Sequence, residues 1–324
     1  MTAVALVVLP GLGSAQAEVR PEITHGSQLT PAMTGLAGLA ARELASKSAD
    51  RKVFPGATIR DGGSYPFVRR IERSAFYDGF AVKGPHLLVE NVDFSSGLDL
   101  FTSLPVVFRG VRVAIHRPEH WGILSREQAG RFYFLWSEVT GDAAGTGGRT
   151  VGGRLGIGLY LKSPGAIVYR SHVSRASDGI QVHAPGAQII ETVIDDLVHF
   201  PGDHNDGVQM LGRASALTVL RSRIENANPL VGCINLNGTP SLIAHNVLAG
   251  GGFAIYGGAR RNGHDASFVA RGVRVEDNVF AQTFYPRSGR HGPVTYWDST
   301  AGAGNVWRGN RFDDGAAIPD PGAH

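Results

Sequence analysis

The chain has 324 residues, 43% hydrophobic and 18% charged, a balance that supports a packed core and excludes disorder as the main state. Its 44 glycines follow no Gly-X-Y period, which excludes collagen, and its one cysteine, Cys233, excludes an internal disulfide or a cysteine zinc cluster. A net charge of +3 suits an anionic substrate and falls short of a nucleic-acid signature, so no nucleic acid is expected as a partner.

From the N-terminus, residues 3–12 form an apolar run, and Ala15, Gln16 and Ala17 supply the small residues a signal peptidase requires before Glu18. The expectation is a signal peptide over 1–17 and a secreted protein, although only Met1 and Thr2 stand where a basic n-region belongs. The run is too short to span a bilayer and no later segment qualifies, so no transmembrane anchor is expected. In the next segment, 18–79, Leu36, Leu39, Ala40 and Leu44 have helical spacing with Pro31 upstream. This predicts a short capping helix over 34–46, ahead of the first strands, that covers an open sheet edge.

The stretch 80–314 repeats a short pattern: apolar residues, a polar pair often ending in Asn or Ser, one variable residue, then an apolar residue. The copies are 88–94 (LVENVDF), 107–113 (VFRGVRV), 168–173 (VYRSHV), 189–194 (IIETVI), 219–224 (VLRSRI), 243–248 (IAHNVL), 275–280 (VEDNVF) and 307–312 (WRGNRF), with 134–139 a looser ninth. The mean period is about 27 residues, within the solenoid range. A further strand follows in each unit: 158–162, 179–183, 207–211, 233–237 and 253–257. Alternation puts Leu159/Leu161, Ile180/Val182, Val208/Met210, Ile234/Leu236 and Phe253/Ile255 inside. Absence of tight Asn-Gly connections argues against antiparallel meanders. Residues 315–324 read as a loose tail.

Two or three short strands per coil, with almost no helix, resemble the right-handed parallel β-helix of the pectate-lyase-like superfamily over residues 80–312. The resemblance implies an all-β, single-stranded solenoid of about nine coils. By analogy it implies an extended carbohydrate substrate, since the superfamily includes polysaccharide lyases, glycoside hydrolases and uronate epimerases. The Asp-Pro-His signature of alginate epimerases and the Asn-Thr-Asp and Gly-His-Gly motifs of polygalacturonases are missing, so no catalytic residue carries over.

In-register stacking places Tyr160, Gln181, Gln209, Asn235 and Tyr256 in one outward column, at spacings of 21, 28, 26 and 21 residues, with Lys162, His183, Leu211 and Asn237 beside it. Aromatic faces next to amides suit an oligosaccharide track, and Tyr285, Tyr296 and Trp297 could extend it; a plain solvated sheet face is the alternative. Asp178-Gly179-Ile180-Gln181 recurs 28 residues on as Asp206-Gly207-Val208-Gln209. Strands about 4.8 Å apart would stack the two carboxyls, which suits a retaining hydrolase or a Ca²⁺ site; otherwise each Asp caps a turn. No other cofactor is implied.

The insertion at 199–205 brings His204 near Asp206. A neutral His can remove the C5 proton of a uronate while Arg or Lys neutralises its carboxylate, a set that His204, His183, Lys162 and Arg175 could supply. The leading expectation is therefore a secreted enzyme that cleaves a uronate-containing polysaccharide by β-elimination, with His204 as base. The alternatives are a hydrolase using Asp178 and Asp206, and a non-catalytic glycan-binding protein. Eight glycines within 141–158 form no G-x-G-x-x-G between strand and helix, and read as a loop over the site. Arginines and histidines at 260–264, 271 and 287–291 read as a basic rim.

Overall fold

A computed structural model describes residues 51–142, 154–199, 204–259, 270–300 and 302–322. The expected signal peptide, the expected capping helix, most of the glycine-rich loop, Arg260, Arg261 and His264 lie outside the described residues. Three long sheets run the length of the molecule, with ten, nine and ten strands among the described residues. The chain visits them in rotation. Thus Val113, Ile123 and Phe134 lie in consecutive strands of the first, second and third sheets, and Val139 begins the next coil directly above Val113. Pairing between coils is parallel throughout, except that Val68–Ile71 runs antiparallel to His86–Glu90 at the N-terminal end. This is a parallel β-helix. Pairing already begins at Val53–Phe54, which joins Asp93–Phe94, ahead of the residue-80 boundary read from the repeat.

Inside, the apolar ladder is continuous. Leu98, Ile123, Leu159, Ile180, Val208, Ile234 and Ile255 occupy one register position of the second sheet, all fully enclosed. Each such side chain contributes about 1.5–3 kcal/mol relative to leaving it in water. Cys233 also points inward, with Sγ 3.2 Å from the Ala249 carbonyl, and burial pushes its thiol pKa up. One inward assignment is corrected. Ala254 and Ile255 are both fully buried, so alternation breaks at the start of this strand and Phe253 does not follow Ile255 inward. It lies half-buried on the outer side, with its ring 5.9 Å from Tyr256 and 5.6 Å from His291.

The repeated pattern read from sequence spans the corner from the third sheet to the first. Its turn residue has a positive φ in every coil: Asn91, Gly110, Trp136, Arg170, Glu191, Arg221, His245, Asp277 and Gly309. The residue after it forms an internal polar ladder. Ser137, Ser171, Thr192, Ser222, Asn246, Asn278 and Asn310 are all buried, and each accepts the backbone N–H at the same position of the preceding coil. The left-handed conformation costs a non-glycine residue about 1–2 kcal/mol, and these bonds to otherwise orphaned buried N–H groups offset it.

One antiparallel element departs from the sequence reading. Ala75–Tyr77 and Phe80–Val82 form a hairpin through Asp78 and Gly79, both at positive φ, the turn chemistry of a two-residue loop. It lies over the outer face of the third sheet, where Tyr77 and Phe80 pack on Leu88, Val107, Tyr133, Leu135 and Ile167.

Candidate functional site

On the second sheet the expected outward column is in register. Tyr160 pairs with Gln181, Gln181 with Gln209, Gln209 with Asn235, Asn235 with Tyr256 and Tyr256 with Thr295. The side chains divide into two groups.

The first group forms a cleft of about 350 Å³ lined by His204, Asp206, Gln209, Asn235, Asn237, Tyr256 and Tyr296, with Leu230 and Met210 as its apolar walls. Tyr256 and Tyr296 face each other at 5.8 Å. Gly232 makes room for the Tyr256 ring, because a Cβ there would stand 2.9 Å from it. Burial, Asp206 and Tyr296 all raise the Tyr256 pKa, so its hydroxyl keeps its proton at neutral pH. His204 is exposed.

The second group lies on the three preceding coils. The Tyr160 and His183 rings are 4.9 Å apart, the Lys162 ammonium sits 4.6 Å from the Tyr160 ring centre, and His120 and Trp121 continue the strip at 6.5 and 6.3 Å from Tyr160. Burial, then the Lys162 charge, holds the His183 imidazole below its ordinary pKa. Its Nε2 is enclosed and meets no hydrogen-bond partner among the described residues. His183 therefore adjoins the cleft at Leu211 without lining it. Nothing in the repeat pointed to His120 or Trp121, because their strand, Glu119–Ser125, precedes the Asp-Gly copies.

The two carboxylates occupy stacked positions but work as caps. Asp178 Oδ1 accepts the Asp206 backbone N–H at 2.8 Å, and Oδ2 accepts the Gln181 amide at 2.7 Å. Asp206 repeats this one coil on, accepting the Gly232 N–H at 2.8 Å and the Asn235 amide at 3.1 Å. Asp178 is 6% exposed and Asp206 0%. Burial raises the Asp206 pKa against these bonds and the nearby His204. Both carboxyls are buried and held by backbone and amide donors, an arrangement that counts against the paired-carboxylate hydrolase. Nor do three or more acidic, His or Cys side chains cluster as a metal site among the described residues, which leaves the Ca²⁺ reading with two carboxylates already engaged.

The glycine after each Asp answers to packing, not to a turn. Gly122, Gly158, Gly179 and Gly207 stack in one column, and a Cβ at Gly179 would stand 2.4 Å from the Gly207 carbonyl and 2.6 Å from an Ile194 methyl. Arg175 is set apart from the cleft. It holds the corner between the first and second sheets at φ 54°, paired to Asp196 at 2.9 Å. Trp297 turns inward against Trp307, and the Tyr285 hydroxyl donates to the Ala227 carbonyl, so of the three outlying aromatics Tyr296 alone joins the track.

No family model and no curated protein matches the chain. Among solved structures it is similar to the periplasmic alginate epimerase AlgG, at 12% identity and a TM-score of 0.27, over 85% of this chain and 87% of that one. A likeness at that level says nothing about activity, and the β-helix assignment rests on the strand pairing itself.

Proposed function

We propose that the chain is a carbohydrate-active protein that lays an oligosaccharide across the outer face of the second sheet and removes the C5 proton of a uronate with His204. The observation that carries this reading is an exposed imidazole on the rim of a cleft walled by tyrosines and amides. Aromatic faces stack on sugar rings, amides bind their hydroxyls, and an imidazole can accept the proton. Loss of the C4 substituent from the resulting carbanion would give β-elimination, the outcome favoured here. The aromatic strip of Trp121, Tyr160 and His183 extends the same face along the solenoid and carries a cation, Lys162, over the Tyr160 ring. Secretion, read from residues 1–17, is part of the proposal.

One observation favours a second reading. No Lys or Arg lines the cleft among the described residues, as a site that binds glycan without chemistry would allow. Incubation with a panel of uronate polysaccharides separates the two. Elimination generates an ultraviolet-absorbing unsaturated uronate, and His204→Ala should lower its rate by about a hundredfold or more with the fold intact by circular dichroism. Saturable binding without product, unchanged in His204→Ala, would establish the binding protein instead.

A further inference from the structure

A second cavity lies on a different corner of the solenoid, between the third and first sheets. It has a volume of about 270 Å³ and is lined by Asp78, Asn91, Arg109, Gly110 and Trp136. We propose that it is a slot for one pyranose ring of a neutral glycan, independent of the cleft on the second sheet.

The slot follows from a gap in the column of turn residues. Asn91, Gly110, Trp136 and Arg170 are stacked by backbone bonds: Asn91 N–H to the Arg109 carbonyl, Gly110 N–H to that of Leu135 and Trp136 N–H to that of Tyr169, at 3.0–3.1 Å. Gly110 contributes no side chain, and the Asn91 amide leans into the room this leaves, since a Cβ at Gly110 would stand 2.7 Å from Asn91 Oδ1; Asn91 and Trp136, two strand spacings or about 10 Å apart, line the slot from its two ends. The indole is held from the other side. The Arg170 guanidinium of the following coil lies 4.8 Å from its centre, and Tyr169 meets it edge-on at 6.3 Å. One face of Trp136 is thereby turned toward the gap that Gly110 leaves in the preceding coil.

The polar groups select the ligand. Asp78 arrives at the mouth on the tip of the hairpin, where its Oδ2 accepts Arg109 Nε at 3.0 Å, while Arg109 Nη1 reaches Glu90 Oε1 at 3.0 Å. Arg69 pairs with the same Glu90 at 3.1 Å. Arg109 and Arg69 are balanced by Asp78 and Glu90, so the mouth of the slot offers hydroxyl-binding carboxylate, guanidinium and amide groups beside a stacking face, with no surplus positive charge among them for a uronate.

The test is an NMR titration of the full chain with glucose and mannose hexasaccharides and, for contrast, a galacturonate hexasaccharide. The Trp136 indole N–H is assigned by its disappearance in Trp136→Phe. A neutral probe should shift this signal saturably. Gly110→Gln, whose Cβ would push Asn91 Oδ1 aside and whose side chain fills the slot in a conformation that Arg170 and Glu191 already adopt, should weaken that binding at least about tenfold. The proposal is overturned if no neutral probe moves the Trp136 signal at millimolar concentration, if only the uronate does, or if Gly110→Gln binds as well as wild type.

Discussion

At the residue scale, the two Asp-Gly pairs show how one dipeptide serves two demands that have nothing to do with turns. The aspartate closes a backbone N–H of the next coil, and the glycine leaves room for a carbonyl and an isoleucine methyl. A Cβ at Gly207 would stand 2.5 Å from both the Cys233 carbonyl and Ile224 Cγ2. Gly179→Ala and Gly207→Ala should therefore each destabilise the fold by about 1–3 kcal/mol, read as a lower urea midpoint at unchanged slope. Asp206 makes a separate prediction. Its folded pKa lies above the unfolded value, so between the two the folded chain holds the extra proton and stability falls as pH rises through the folded pKa. In Asp206→Asn the amide oxygen still accepts the Gly232 N–H and the slope disappears. Urea titrations at several pH values should show wild type losing stability relative to Asp206→Asn as pH rises above the ordinary Asp value of about 3.9. Asp206→Ala, which strands that N–H, should be less stable than wild type by about 1–3 kcal/mol at low pH.

Elements here are too short to stand alone. Strands of two to seven residues persist because, away from the ends of the three sheets, each is paired on both sides and its corner is pinned by the ladder. Asn278 shows the coupling. Its Oδ1 accepts the Asn246 N–H and Nδ2, while its own Nδ2 donates to the Ile243 carbonyl and to Asn310 Oδ1. Asn278→Ala removes all four bonds at a buried site and should cost more than about 2 kcal/mol. Asn278→Ser, which keeps an acceptor as Ser222 does two positions down the ladder, should recover part of it; thermal unfolding of both variants decides. The repeat pattern advertised this ladder in its recurring Asn and Ser, yet periodicity alone could not tell an inward polar residue from an outward one. The hairpin at 75–82 was missed for a related reason. Asp78-Gly79 is its turn, but the hairpin is held by docking on Leu88, Val107 and Tyr133 of three successive coils, which no local window contains.

Across the whole molecule, stability is a sum over neighbouring coils, so the ends should open first. Native-state hydrogen exchange should find the amides of Leu159, Ile180 and Val208 among the slowest, and those of 53–60 and 306–312 among the fastest. The same stacking explains what could be read in advance. Alternation along each strand and a period near 27 residues determined by themselves the solenoid, the buried column from Leu159 to Ile255 and the outward column from Tyr160 to Tyr256, because a parallel rung repeats its neighbour's geometry. Phe253 escaped because alternation breaks at the start of its strand, where Ala254 and Ile255 are both buried just after Gly250 and Gly251 at positive φ. Tertiary structure alone decided that Asp178 and Asp206 face backbone N–H groups of the next coil, that His204 stands over a cleft while His183 packs against Tyr160, and that Arg175 is spent at a corner. Those outcomes depend on contacts between coils and on where an inserted loop comes to rest, distances that the order of residues along one strand does not encode.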